Sequence, residues 1–310
     1  MGRWAVGDTE DSRSVHSQKH MTPLDLVNLT TLTAQTSGRP DMLIGLIDGP
    51  IAVNHPDLAA GNICLLPGTL PGACAHVRSA ACLHGTFVAG ILCAQRHSVA
   101  PAICPRCTLM VRSIFAEMDV QSGQMPGATP EELAAALHEC IEAGARVINV
   151  SSALEEPVLR GQRAVADALD HALRRGVLIV VAAGNQGTLG SSVITRHPWV
   201  IPMVAYDLQG RPMAQSNFGH SIGQRGLGAP GDAITSLGAM GPPLTFGGTS
   251  AATPFVTGAI ALLWSAFPGA TAAEVRGAIL HASAPRRRTV VPPLLDAWGA
   301  YTMLQASMRR

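Results

Sequence analysis

The chain has 310 residues, 47% of them hydrophobic and 14% charged, and a formal net charge of +1. That balance excludes a disordered chain, which is poor in apolar residues and rich in charge, and it offers no electrostatic footprint for nucleic acid or an anionic membrane. The longest unbroken apolar run, Val177 to Ala183, has seven residues, whereas a membrane-spanning helix needs ~20.

Residues 1–22 are polar and mixed in charge and read as a flexible tail. They lack the apolar stretch of a secretory signal, which predicts a cytoplasmic protein. Residues 23–36 then read as one short helix with apolar positions at Leu24, Val27 and Leu32, broken by Ser37-Gly38-Arg39-Pro40. Met42 to Ile47 is an apolar run ending at Asp48, as a buried strand would read. Leu109 to Ile114 is a second strand. Glu131 to Ala143 has helical spacing after Pro130 and stops at Gly144. Arg146 to Ser151 is a strand, Ala164 to Arg175 a helix stopped by Gly176, and Val177 to Ala183 a strand of β-branched character.

Strands and helices alternating in this way predict an α/β fold, a mostly parallel sheet with helices on both faces. Beyond Trp199, short strands and turns rich in glycine and proline run to about Gly248. Helices are expected over Ser250 to Phe267, Thr271 to Ala282, and from Leu294 onward. No repeat or linker divides the chain, so a single domain over residues 23–304 is expected, with a tail over 305–310.

The seven cysteines cannot all pair within one chain, and their spacing suggests no disulfide framework. Free thiols are the expectation. Cys104 and Cys107 form a lone CxxC without the second ligand pair that a zinc site usually needs.

Functional groups in such a sheet gather at the carboxyl ends of the strands. Asp48 ends the first strand, where a carboxylate is costly to bury without a partner; it also fits a turn aspartate before glycine. His84 opens a small-residue helix in Leu83-His84-Gly85-Thr86-Phe87-Val88-Ala89-Gly90, and also fits a helix-terminal histidine. Asn185 follows Ala183-Gly184 as either a turn residue or an amide donor. Ser250 stands in Gly247-Gly248-Thr249-Ser250-Ala251-Ala252-Thr253-Pro254, where two glycines deliver the chain to a helix start with free N–H groups. It could be an N-cap or a nucleophile whose oxyanion those donors would stabilise.

Together, in the order Asp48, His84, Asn185, Ser250, these motifs resemble the subtilisin-like serine proteases. Val99-Ala100-Pro101, Pro198 to Val204, Ser216-Asn217-Phe218-Gly219, Ala229-Pro230-Gly231 and Asp296-Ala297 resemble further landmarks of the family, over about residues 40–304. The resemblance implies a subtilisin-like fold and a serine endopeptidase. It assigns Ser250 as nucleophile, His84 as base, Asp48 as its orienting partner and Asn185 as an oxyanion donor.

Asp48-Gly49-Pro50, the helix ending in Thr36-Ser37-Gly38 and the stretch from Glu139 to Ser151 are most similar to the maturation proteases of cyanobactin-type pathways. These imply a peptide or protein substrate, in particular a dedicated precursor peptide, with neither nucleic acid nor membrane as partner. The alternatives are a general intracellular subtilisin-like protease and a non-catalytic binding protein on the same fold.

Where the family often has Ser-x-Gly-Gly along the substrate groove, this chain has Ser151-Ser152-Ala153-Leu154, which would narrow a pocket that glycine keeps open. Glu155 and Glu156 follow, as a preference for a basic residue or as solvated loop charges. No cofactor is expected. Calcium, common in the family, needs several oxygen ligands, and no loop is dense enough in them to nominate. The 47 residues before Asp48 leave too little length for an independent folding-assistant domain, so no dependence on a cleaved propeptide is expected.

Overall fold

The structure, a computed structural model, describes residues 21–58, 62–118, 127–151, 161–283 and 289–309. In chain order the elements are α1 (Pro23–Leu26), α2 (Leu29–Gln35), β1 (Leu43–Asp48), β2 (Ile63–Leu65), α3 (Ala80–Cys93), β3 (Thr108–Ser113), α4 (Pro130–Glu142), β4 (Val147–Val150), α5 (Gln162–Arg175), β5 (Leu178–Ala182), α6 (Val193–Arg196), β6 (Val200–Tyr206), α7 (His220–Arg225), β7 (Leu227–Pro230), β8 (Ile234–Ser236), β9 (Leu244–Phe246), α8 (Thr249–Ala266), α9 (Ala272–Ser283) and α10 (Ala297–Met308).

Seven strands form one parallel sheet in the order β2-β3-β1-β4-β5-β6-β7, and β8 and β9 make a separate antiparallel pair. The central strands are apolar on both faces because helices cover both. One face carries α3, α8, α9 and the α1–α2 segment, with Leu46, Val147, Val180 and Met203 facing them from the sheet. The other carries α4 and α5 over Ile47, Ile148, Ile179 and Val200. The expected α/β fold, doubly covered and in a single domain, is the one observed. No helix among the described residues is long and apolar enough to cross a membrane.

Helix α8 explains why so apolar a segment follows Gly248. All but one of its residues from Thr249 to Ser265 are buried, the exception being Ser250. Pro254 lies inside α8 as its sixth residue, so the i→i−4 bond to the Ser250 carbonyl is absent.

Four features depart from expectation. Residues 23–36 form two short helices. The break falls at Asn28, which adopts the left-handed conformation (φ 54°) that asparagine tolerates and donates from Nδ2 to Asp296 Oδ1 at 3.0 Å. Helix α10 continues to Met308, so most of the expected tail over 305–310 is helical. Cys74 and Cys82 form a disulfide, against the expectation of free thiols, while Cys64, Cys93, Cys104, Cys107 and Cys140 stay unpaired. Arg112 is the penultimate residue of β3 yet is 1% exposed. Its guanidinium meets Glu139 through Nε and Glu132 through Nη2, so the buried charge is compensated from α4.

Candidate active site

Strand β1 delivers Asp48 to the carboxyl edge of the sheet, with its side chain 0% exposed. The carboxylate Oδ1 accepts from the Gly49 N–H at 2.7 Å and from His84 Nδ1 at 2.7 Å. Oδ2 is buried without a hydrogen-bond partner. A carboxylate in this setting is held by its contact with His84, and it fixes which nitrogen of the ring is protonated. Nδ1 being engaged, Nε2 is the nitrogen free to exchange a proton.

His84 rides on α3, whose first turn presses on the chain just after Asp48. A Cβ placed on Gly49 would stand 2.1 Å from the Ala81 carbonyl oxygen, so a side chain there would push the helix away. The helix start is secured at three points. Ser79 Oγ caps it by accepting from Cys82 N at 3.1 Å. Glu117 accepts from Ser79 Oγ at 3.0 Å and from the Ala75 and His76 N–H groups at 2.8 and 2.9 Å. The Cys74–Cys82 disulfide ties the same turn to the preceding loop.

Burial lowers the His84 pKa, but the Asp48 charge and hydrogen bond outweigh it, and the net shift is upward from 6.5.

Ser250 is the second residue of α8, half-buried at the helix mouth. Gly248, with φ 116°, turns the chain into the helix in a conformation that favours glycine. A Cβ there would come within 3.0 Å of the Asn185 amide. Asn185 arrives from the end of β5, and its Oδ1 accepts from Thr249 N at 2.9 Å and Thr249 Oγ1 at 3.1 Å. Thr249 Oγ1 in turn accepts from Gly184 N at 3.2 Å.

The amide oxygen is therefore occupied. Among the described residues neither Asn185 Nδ2, nor the Ser250 N–H, nor the Ser250 hydroxyl has a protein hydrogen-bond partner. The Ser250 N–H and Asn185 Nδ2 are thus donors left without protein partners at the start of α8. The helix bearing His84 is coupled to the segment before Ser250. Phe87 and Phe246 are in ring contact at 5.0 Å, and Ser236 Oγ donates to the Phe87 carbonyl at 2.8 Å.

Ser151, expected along the groove, is 6% exposed. Its hydroxyl accepts from Asn149 Nδ2 at 2.6 Å, while Asn149 Oδ1 accepts from Thr257 Oγ1 at 2.8 Å. The Ser151 side chain is thus part of a buried link between β4 and α8. Ser152, Ala153, Leu154, Glu155 and Glu156 lie outside the described residues.

Sequence reasoning missed Thr249, Glu117, Cys74 and Cys82. Thr249 was legible as the residue wedged between glycine and serine at a helix start. Glu117 and the disulfide act across loops and leave no local pattern. Among the described residues, the one group of ligand atoms close enough for a metal is Cys74, Cys82 and Glu117. With the two sulfurs joined to each other, it offers no thiolate.

The model of the subtilase family matches residues 39–299. Subtilisin E of Bacillus subtilis (strain 168) is 27% identical over 277 residues, covering 88% of this chain and 68% of the relative. Subtilisin DY of Bacillus licheniformis is 28% identical over 259 residues, covering 82% and 87%. Among solved structures, a point mutant of the protease domain of PatA superposes with a TM-score of 0.79 at 30% identity, over 87% of this chain and 97% of that one. The prenylagaramide maturation protease PagA gives 0.76 at 27%, over 89% and 98%. The PatG macrocyclase in complex with peptide gives 0.74 at 22%, over 89% and 95%, a likeness of fold.

Proposed function

Because the chain belongs to the subtilase family and is a subtilisin-like serine endopeptidase, we propose that Ser250, His84 and Asp48 are its triad and that its substrate is a leader-bearing precursor peptide. The observation that carries the triad is the 2.7 Å contact between His84 Nδ1 and Asp48 Oδ1, which leaves Nε2 as the exchanging nitrogen. Ser250 Oγ attacks the scissile carbonyl. His84 takes the hydroxyl proton and returns it to the leaving amine. Asp48 holds the ring and stabilises the imidazolium. Asn185 Nδ2 and the Ser250 N–H receive the oxyanion. The substrate lies extended beside the end of β4, with its backbone hydrogen-bonded as an added strand. No hydrogen bond joins Ser250 Oγ to His84 Nε2 among the described residues; in this reading it forms when substrate excludes water, as catalytic hydrogen bonds that are long in apo sites tighten in the complex.

Two expected results test these roles. The competent base is neutral His84, so kcat/KM should rise with pH through a midpoint above 6.5, since Asp48 favours the protonated ring. A midpoint at or below 6.5 contradicts that assignment. Asn185→Ala should lower kcat by ~10²–10³ with little change in KM, because the amide serves the transition state more than the bound ground state. A loss confined to KM would remove Asn185 from oxyanion binding.

The precursor reading is supported by the likeness to PatA and to the maturation protease PagA, together with the Asp48-Gly49-Pro50 motif. The test is digestion of a leader-bearing precursor peptide and of casein, followed by mass spectrometry. One cut at the leader boundary with casein spared supports maturation. Casein reduced to many fragments, with no preferred site in the precursor, supports a general protease instead.

A further inference from the structure

Three loops next to the elements that carry the triad residues also enclose a cleft. The loop after β1 continues from Asp48 to Ala52 and on to Asp57. The loop before α3 contains Cys74 and Val77. The turn between β8 and β9, with Ala239, Met240 and Gly241, leads through Phe246 to Ser250. Together they line a cleft of about 470 Å³, within the ~300–1,000 Å³ range of ligand pockets. Its walls are chiefly apolar, from Val53, Pro56, Val77 and Met240, with His55 and Asp57 among the polar groups that the loop after β1 adds. Met240, at the rim, is 71% exposed.

Two contacts place the cleft on the His84 flank. Cys74 is bonded to Cys82, two residues before His84. The Ala52 N–H donates to Thr86 Oγ1, two residues after it, at 2.9 Å. Among the described residues, Ser151 and those of the loop after β5 that carries Asn185 contribute none of its walls.

We infer that this cleft receives a bulky apolar side chain from the leaving segment of the substrate, the residues that follow the scissile bond. The inference rests on the protease reading above. Direction follows from the chemistry. His84 must hand a proton to the leaving amine, so that amine sits against the imidazole. The acyl part remains bonded to Ser250 with its oxyanion at Asn185. The chain beyond the amine therefore departs on the His84 side, the flank on which the two contacts place the cleft. An apolar residue there would cover walls that otherwise face water, and Met240, unbranched and adaptable, closes over side chains of different shape.

The test uses peptides sharing one acyl side, taken from a sequence the enzyme cuts, and differing only in the second to fourth positions after the scissile bond. These positions carry Ala, Phe or Arg. A peptidyl p-nitroanilide with the same acyl side has no leaving segment and serves as reference. Wild type should favour Phe over Ala by roughly 10-fold in kcat/KM at one of these positions, the scale on which apolar pockets discriminate. Val77→Trp fills the cleft and should erase that preference. Met240→Asp, at an exposed rim position, should weaken the Phe preference and raise Arg turnover with the melting temperature unchanged. Hydrolysis of the p-nitroanilide should stay at the wild-type rate in both variants.

Equal rates for Ala and Phe peptides at every position, with the p-nitroanilide still hydrolysed, overturn the inference and leave the protease reading standing. So does a Phe preference that survives both substitutions. If neither the p-nitroanilide nor any peptide is cut, the protease reading itself fails.

Discussion

Ser250→Ala should abolish labelling by a fluorophosphonate and lower turnover by ~10⁶, a magnitude established on a subtilisin and carried over here. Native protein should gain one probe mass and the variant none. The fold should survive, because the hydroxyl has no hydrogen-bond partner among the described residues and its removal leaves nothing unpaired. The turn into α8 depends on Gly248 and on the contact between Thr249 and Asn185, which the substitution does not touch. Unchanged circular dichroism and melting temperature would confirm that activity, not structure, was lost. Equal labelling of the variant would sink the assignment of Ser250.

Asp48→Asn should lower kcat by ~10⁴ while the protein remains folded. The two side chains have the same shape, and an amide no longer selects the ring tautomer that leaves Nε2 as acceptor. Removing a buried charge whose Oδ2 has no partner relieves a desolvation cost, so the melting temperature should not fall. The variant also makes a second, independent prediction. In wild type, burial lowers the His84 pKa and Asp48 raises it above 6.5. Without the charge only burial remains, so the acid limb of residual activity should move below 6.5. Turnover within tenfold of wild type, or an acid limb that does not move, would take Asp48 out of the mechanism.

Asp48, His84, Asn185 and Ser250 were legible as candidate positions because each sits in a short motif with a local purpose. Gly49 admits the Ala81 carbonyl, Gly248 turns the chain into α8, and the glycines and alanines after His84 permit close packing. The parallel sheet was legible because strands covered on both faces read as unbroken apolar runs.

The helix break at Asn28 was not, since its αL conformation is repaid by a bond to Asp296, and no local window contains both residues. Arg112 interrupts an apolar strand as a solvent-facing residue would. Only the placement of Glu132 and Glu139 on α4 makes it a core residue. The pairing of Cys74 with Cys82 depends on how the loop before α3 folds back, and composition is silent on that. Ser151 read as a groove residue from its resemblance to the family's groove stretch. That its side chain also joins Asn149, and through it Thr257, is a partnership between strand and helix set by packing.

The clasp between the α1–α2 segment and α10 has a consequence for how the enzyme comes into being. Val27, Leu29 and Leu32 are fully buried, the Val27 carbonyl accepts from the Ala297 N–H at 3.0 Å, and the Asn28–Asp296 bond spans 268 residues. On the ribosome, at ~5–20 residues per second, the first of these partners waits roughly 15–50 s for the second. During that interval three large apolar side chains lack part of their final cover, and a sheet built from distant strands is slow to assemble. These side chains stay partly uncovered until α10 has been made. The hydrolytic centre, built on a helix against which α2 packs, matures after most of the polypeptide has left the exit tunnel. The protease is thereby kept unfinished until most of its chain has been made.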